Sequence, residues 1–421
     1  MNMFNLVLLL LVFFLIDLYA FRLLFRWHKQ RRPTVLGKRV YWALSVLVYL
    51  LILISNVYGQ GKVDPFTRNL IIGYSGMLFF TKIVTIPFLL IDDVLGFFVW
   101  SWKKLSGSNE KKKIVSDPAQ GITRSEFISR LAIITAGIPF LSLGYGMLNG
   151  AYNYQVRNIR LRFPNLPKAF HGVKIVQLSD IHSGSFGNKS AVESGIQLVL
   201  DQKPDYIFFT GDLVNNQTNE VEPWITTFAK LKAPGGVFSI LGNHDYGDYF
   251  SWPDEAAKKA NLNAMHEAHA KIGWRLLLNE SVTLERDGDR IGLIGVENWG
   301  ARGRFSQYGN LEKAGAQSHE HPFNILLSHD PSHFEAEVQQ KRPEIDLTLS
   351  GHTHGMQFGV EIPGYIKWSP ASWIYPYWAG LYSFGKQHLY VNRGFGFIGY
   401  PGRVGILPEI TVITLETETT A

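Results

Sequence analysis

The chain has 421 residues, 46% of them hydrophobic, with 41 Lys+Arg against 35 Asp+Glu and no cysteine. That length exceeds one ordinary domain, so at least two structural units are expected. The lack of cysteine excludes disulfide staples, thiolate metal sites and cysteine nucleophiles. The net charge of +6 argues for no nucleic-acid partner, because residues 1–150 hold 17 of the cations and only 7 of the anions, and the remainder is slightly acidic.

In chain order, the first half reads as membrane. Four apolar stretches are long enough to span a bilayer, at 4–26, 41–59, 70–91 and 131–150. The first, "FNLVLLLLVFFLIDLYAFRLLF", is interrupted only by Asp17 before Arg22. The third carries Lys82 near its middle, a position that requires snorkelling or a partner helix. The loops after the first and third stretches are rich in Lys and Arg, whereas "QGKVDPFTRN" holds only Lys62 and Arg68. The positive-inside tendency therefore makes the two basic loops cytoplasmic and sends the soluble remainder to the outer face. "TRSEFISR" (123–130) is similar to a degraded twin-arginine export signal with Ser125 in place of the second arginine. An ordinary fourth span explains it equally well and is preferred.

From residue 151 onward short aliphatic strands alternate with helices. Strands are expected at 173–179, 205–211, 236–243, 290–297, 323–329 and 345–351. Helices are expected at about 188–201, 222–231, 254–271 and 331–340, the first opened by "FGNKS" and the third by Ser251 before Pro253. The boundary between a membrane region (1–150) and a soluble α/β domain (151–421) follows from this change of pattern.

Five of these strands end in polar residues of one kind. Asp180 and His182 follow the first, Asp212 the second, Asn243, His244 and Asp245 the third, His329 the fifth, and His352 and His354 the sixth. Carboxyl ends of strands line the ligand crevice in α/β sheets. Each group alone has a bland explanation as a turn or a capped strand end. Together they supply carboxylate, imidazole and amide oxygen, the donors that borderline divalent ions accept without sulfur. Seven donors exceed the needs of one ion and suit two ions about 3.5–4 Å apart with a shared carboxylate.

The set Asp180-x-His182, Gly211-Asp212, "GNHD" (242–245), His329 and "GHTH" (351–354) resembles the motifs of the calcineurin-like metallophosphoesterase superfamily. "LPKAFHGVKIVQLSDIHSG" is similar to the membrane-associated and exported bacterial phosphodiesterases within it. The resemblance covers about residues 154–416. It implies a four-layer αββα sandwich behind the α-helical transmembrane region. It also implies two divalent metal ions, Mn²⁺ first with Fe, Zn or Mg as alternatives. Asp180, His182 and His354 would bind one ion, Asn243, His329 and His352 the other, and Asp212 would bridge. His244 would face the substrate as a general acid, oriented by Asp245, while a hydroxide bridging the metals attacks phosphorus.

Further residues receive weaker readings. His266 and His269 in "MHEAH" read as a solvated helical face, and His333 as a surface residue at a helix start. Glu297 and Asn298 reach the same strand edge and could support the site or the substrate. The aromatic segment 364–385 reads equally as a packed hairpin or an interfacial patch. Of two Gly-flanked arginines, Arg393 is favoured over Arg403 as a phosphate contact.

The expected function is that of a membrane-anchored phosphoesterase, a phosphodiesterase acting on a lipid or envelope-linked phosphate ester. Its partners would be membrane lipids and that substrate, its place a bacterial inner membrane with the catalytic domain extracytoplasmic. Two alternatives remain at this stage: hydrolysis of a nucleotide-linked lipid precursor, and a non-enzymatic membrane sensor or scaffold on a phosphoesterase fold.

Overall fold

The computed structural model describes residues 3–27, 35–57, 65–106, 123–303 and 305–418. The chain divides into two compact units, Met1–Tyr145 and Gly146–Ala421.

The first unit consists of helices α1 (Met3–Trp27), α2 (Val35–Val57), α3 (Pro65–Leu105) and α4 (Arg124–Tyr145), each long and apolar enough to cross a membrane. The bounds depart from the hydropathy reading at α2, which starts at Val35 rather than 41, and most at α3 and α4. α3 continues well past residue 91 because Asp92 and Asp93, which end the apolar run, are paired with Arg124 (3.3 Å) and Arg22 (2.8 Å). α4 begins at Arg124 rather than 131, since Thr123 Oγ1 accepts from Glu126 N (3.2 Å) and Glu126 pairs with Arg130 one turn on (2.6 Å). It ends at Tyr145, and Gly146–Gly150 form a π-type turn. Most of the two basic loops, on which the expected orientation rests, lies outside the described residues.

The burdened third span resolves locally. Lys82 Nζ lies 2.5 Å from Asp17 Oδ1 and donates to Ser45 Oγ (2.9 Å). Asp17, with no exposed surface, also accepts from Tyr41 OH (2.7 Å) and from Tyr49 OH. One carboxylate thus ties α1, α2 and α3 together, and its charge is answered inside the bundle rather than by lipid or water.

Among the described residues the second unit is built on fourteen strands: β1 (Gln155–Phe163), β2 (Lys174–Leu178), β3 (Tyr206–Phe209), β4 (Val237–Ser239), β5 (Arg275–Leu276), β6 (Glu280–Arg286), β7 (Asp289–Gly295), β8 (Asn324–Leu327), β9 (Leu347–Ser350), β10 (Val360–Ile362), β11 (Ile366–Trp368), β12 (Gly380–Phe384), β13 (Gln387–Val391) and β14 (Glu409–Thr417). Twelve of them form two mixed six-stranded sheets, in the orders β1-β14-β2-β3-β4-β5 and β12-β13-β9-β8-β7-β6.

Period-two alternation sorts side chains between layers. In β2, Ile175 faces the second sheet, whereas Val176 and Leu178 face helices α5 (Lys189–Asp201) and α7 (Glu255–Ile272), with the short α6 (Ile225–Phe228) between these two in sequence. In β8, Ile325 and Leu327 join Ile175, Phe208 and Ile413 between the sheets, while Leu326 packs outward on Phe334 and Val338. The layers are therefore helix, sheet, sheet, helix, the αββα sandwich. Because both faces of the central strands are buried, they read in sequence as unbroken aliphatic runs.

Two expected helices are realised only in fragments. Pro223 confines the 222–231 stretch to a 3₁₀ turn followed by α6, and 331–340 becomes a π turn, Phe334–Val338, with one further turn behind it. α5 is capped by Asn188, whose side chain accepts from Ala191 N (3.1 Å). α7 is capped not by Ser251 but by Asp254, which accepts from Ala257 N (2.7 Å). That arrangement also places a carboxylate at the positive end of the helix.

Removing one partner of a buried ion pair strands the other, at a cost of about 3–5 kcal/mol, whereas replacing both by apolar groups is close to neutral. Lys82→Met should therefore lower the thermal midpoint of the detergent-solubilised protein strongly, and Asp17→Leu combined with Lys82→Met should recover most of it. Equal loss in the single and double variants would show that the pair does not couple the helices.

Candidate metal centre

β2, β3 and β4 are parallel neighbours in one sheet, and β8 and β9 are parallel neighbours in the other. Their carboxyl ends lie at one edge, and the loops leaving them bring Asp180, His182, Asp212, Asn243, His329, His352 and His354 together. Five of these seven, Asp180, His182, Asp212, His352 and His354, adopt left-handed backbone with φ between 50° and 71°. That conformation costs an L-residue roughly 1–2 kcal/mol. It turns each side chain back over the sheet edge. Two glycines make room: a Cβ on Gly242 would collide with Asp212 Oδ1, and one on Gly351 with Asp180 Oδ2.

The donors form two groups, each able to hold an ion by position and type. In the first, His354 Nε2 is 3.0 Å from His182 Nε2 and 3.1 Å from Asp180 Oδ1. In the second, His329 Nε2 is 3.2 Å from Asp212 Oδ2 and 3.2 Å from His352 Nδ1. Asn243 Oδ1 joins the second group at 2.8 Å from His352 Nδ1 and 3.2 Å from His329 Nε2. Asp212 Oδ2 also lies 3.5 Å from His182 Nε2, so a single carboxylate oxygen touches both groups.

The calcineurin-like phosphoesterase model matches residues 173–356, and a model described as the transmembrane domain of a probable calcineurin-like phosphoesterase matches residues 2–151. The chain is 31% identical over 304 residues to the uncharacterised metallophosphoesterase YkuE of Bacillus subtilis, covering 70% of this chain and 98% of that protein. It is 32% identical over 321 residues to a transmembrane protein with metallophosphoesterase domain from Danio rerio, covering 75% and 67% respectively. The phosphodiesterase YaeI of Escherichia coli is 28% identical over 295 residues, covering 70% of this chain and 99% of that protein. The chain belongs to the calcineurin-like phosphoesterases.

As a metallophosphoesterase it is a metal-dependent enzyme with a membrane-integral region, and its donor set can be tested against that. Every imidazole is aimed by its other nitrogen. His182 Nδ1 meets Val214 O (3.2 Å), His329 Nδ1 meets Thr210 O (2.7 Å), and His352 Nε2 meets Tyr375 OH (2.9 Å), which donates in turn to Asp330 Oδ2 (3.4 Å). His354 Nδ1 accepts from Arg403 Nη2 (3.1 Å). That guanidinium nitrogen also donates to Gly396 O (2.6 Å).

Electrostatics support the same fit. Burial would raise Asp180 and Asp212, but His354 beside the first and His329 beside the second hold both carboxyls well below their usual range. Burial would lower His329, but Asp212 lifts it to about 10. His182 and His352 are pushed down by burial. Two desolvated carboxylates demand positive charge, and two buried imidazoles stay unprotonated with lone pairs to offer. Divalent cations satisfy both requirements.

A cavity of about 370 Å³ opens onto this cluster; its lining includes His182, Asp212, Asn243, His244, His352 and His354 together with the apolar Phe305, Met356, Ile374 and Ile398. His244 donates its backbone N–H to Asp212 Oδ1 (2.9 Å), and its Nδ1 meets Asn215 O (2.6 Å). Asp245 does not touch the His244 ring. Its carboxylate instead accepts from the N–H groups of Asp212 (2.9 Å), Leu213 (2.8 Å), Val214 (3.2 Å) and Gly242 (2.9 Å), bracing the loop that carries Asp212. Burial, with Asp212 nearby, raises Asp245 to about 7.

Arg393 is buried and bound to Glu409 (2.5 Å) and Glu361 (2.6 Å), with no free face for phosphate. Arg403, the less favoured arginine, is the one that reaches a cluster residue, from behind. His269 is not solvated: it is fully buried, with Nδ1 2.9 Å from Ser239 Oγ, while His266 is half-buried. His333 is likewise buried, its Nδ1 2.8 Å from Ser328 Oγ and its ring 4.7 Å from that of Trp299. Glu297 and Asn298 are held by Tyr246, Asn279 and Ser306 and line no part of this cavity.

Burial lowers His269 and His333 to about 3, whereas both would protonate near 6.5 in the unfolded chain. Between those values the unfolded chain binds more protons, so stability is complete above pH 6.5 and is lost as pH falls. Acidification from 6.5 to 5 should cost about 2 kcal/mol per histidine. Thermal midpoints at pH 7 and pH 5 check this, and His269→Gln or His333→Gln should flatten the decline.

Proposed function

We propose that this phosphoesterase is a phosphodiesterase for a lipid or envelope-linked phosphate ester, working with two Mn²⁺ ions on the extracytoplasmic face of a bacterial inner membrane. The observation that carries the reading is the sharing of Asp212 between two donor groups at a cavity whose lining also contains Phe305, Met356, Ile374 and Ile398. A phosphate there has charge complement in the donor groups, and the apolar lining residues offer contact to a hydrocarbon or ring. The printed name of the Escherichia coli relative, a phosphodiesterase, agrees with a diester.

Asp180, His182 and His354 would hold one ion and Asn243, His329 and His352 the other, with Asp212 common to both. The bound ions supply Lewis acidity that polarises the phosphate and brings a water to a nucleophilic state near neutral pH. Asn243 donates Nδ2–H to Tyr249 OH (2.9 Å), which fixes its Oδ1 toward the second trio. The His244 Nδ1–H directed at Asn215 O leaves Nε2 as the nitrogen available to the cavity. From there a protonated ring stabilises a nonbridging oxygen and donates its proton to the leaving alkoxide. Asp245 keeps the Asp212 loop in its strained form.

His244→Ala should retain Mn²⁺ binding while losing about 100-fold or more in kcat for an alkyl phosphodiester and within about tenfold for a nitrophenyl ester, whose leaving group needs no proton. Equal losses would remove the general-acid role. Chelation should abolish activity and Mn²⁺ should restore it better than Zn²⁺ or Mg²⁺. A reporter fused at residue 421 that proves cytoplasmic would overturn the extracytoplasmic assignment and favour a nucleotide-linked lipid precursor instead.

A further inference from the structure

Strands β10 and β11 pair antiparallel only with each other, immediately after the "GHTH" loop. An isolated two-stranded ribbon is marginal in water, and the way this one is held is informative. Alternation gives it two faces. On the inner face Glu361 accepts from Arg157 Nη2 (2.6 Å) and Arg393 Nη2 (2.6 Å), and Lys367 donates to Ala379 O and lies over the rings of Trp378 and Tyr382 (5.2 and 4.8 Å). On the outer face are Val360, Ile362, Ile366 and Trp368, each 39–50% exposed. Charge points into the domain and hydrocarbon points out, the reverse of a surface ribbon built for water.

The outer face does not end at the ribbon. Tyr365 at its tip is 87% exposed, and Trp373, 77% exposed, meets Trp368 edge-on at 6.1 Å. Ile374 comes next in sequence and lines the cavity over the donor cluster, as does Met356 just before β10. One apolar strip therefore runs from the ribbon tip to the mouth of the active site.

We propose that this strip docks into the acyl and headgroup boundary of a bilayer leaflet and delivers a membrane-borne phosphodiester to the cavity, its hydrocarbon lying along the strip. The delivery rests on the phosphodiesterase reading of the site; the docking does not. Lipid is the occupant for two reasons. The chain carries its own membrane helices, and the segment from Tyr145 to Gln155 spans at most about 35 Å when fully extended, so the second unit stays tethered to a bilayer. The strip also combines Trp and Tyr with aliphatic side chains, the mixture that settles at headgroup depth.

The chain has no cysteine, so Tyr365→Cys in the full-length protein gives a single labelling site, with Lys386→Cys at the exposed β12–β13 turn as control. In phosphatidylcholine–phosphatidylglycerol vesicles, a fluorophore at 365 should be quenched by doxyl-labelled lipid and be at least about fivefold less accessible to iodide than one at 386. Equal access to iodide overturns the docking. Protection from iodide without doxyl quenching overturns it too, because a protein or a second copy would then cover the strip.

Delivery is read with a phospholipid bearing a methylumbelliferyl headgroup and its short-chain soluble analogue, which share a leaving group. Ile362→Ser with Ile366→Ser should lower turnover of the long-chain ester about tenfold or more and leave the soluble one unchanged. Equal turnover of the long-chain ester by variant and parent overturns delivery. Hydrolysis of neither ester by the parent protein with Mn²⁺ would instead defeat the phosphodiesterase reading, while the labelling result would still decide the docking.

Discussion

Two carboxylates with essentially no exposed surface, Asp180 and Asp212, sit where the edges of two sheets meet, and much of the catalytic unit answers to the cost of keeping them there. An isolated carboxylate in a low-dielectric interior is tolerated only with compensating charge and hydrogen bonds. The sheets deliver four imidazoles to the same few ångströms. The loops accept left-handed backbone at five positions to turn those groups inward, and glycines at 242 and 351 leave the volume that carboxylate oxygens need. Asp245 spends its own carboxylate on four loop N–H groups rather than on substrate. The strain and the desolvation serve the same end, a close grouping of donors that could hold metal ions.

The membrane unit obeys the same rule with a different solution. Asp17 is as deeply buried as Asp212, but its neutralising charge is Lys82 and its remaining lone pairs face Tyr41 and Tyr49. All these partners are covalent parts of the bundle, so the cluster is saturated. The second cluster instead gathers carboxylates and imidazoles in two groups that could each hold a metal ion, whereas the first merely joins helices.

Sequence alone made the donor set legible because each member follows a strand whose apolar run ends abruptly, and the order of motifs is distinctive. The αββα layering followed only from the family resemblance those motifs carry; strands buried on both faces showed an α/β domain but not its layers. What escaped were groups whose meaning depends on packing. β1 and β14 alternate polar and apolar residues and contain no continuous run, so they did not register as strands of a core sheet. His269 and His333 looked solvated because nothing local signals that Ser239 and Ser328 lie opposite them. Asp330 directly follows His329, and Arg403 sits in a Gly-flanked loop, but their contacts with Tyr375 and His354 bridge 45 and 49 positions. Arg393 was misjudged because a glycine-flanked arginine suggests phosphate until Glu361 and Glu409 are seen to occupy it.

The pairing of β1 with β14 carries a consequence for how the protein is made. These strands run parallel in register from Gln155 opposite Glu409 to Phe163 opposite Thr417, and β14 separates β1 from β2. The first sheet therefore cannot close until the chain has been synthesised through residue 417, long after the membrane helices have left the ribosome. Until then β1 and β2 present unpaired edges beside a bilayer, with the strands for the second sheet still arriving. Such a topology places the hazard of misassembly on the interval between insertion and completion, and makes the last strand, far in sequence from the clustered carboxylates and imidazoles, the piece that commits the catalytic unit to its fold.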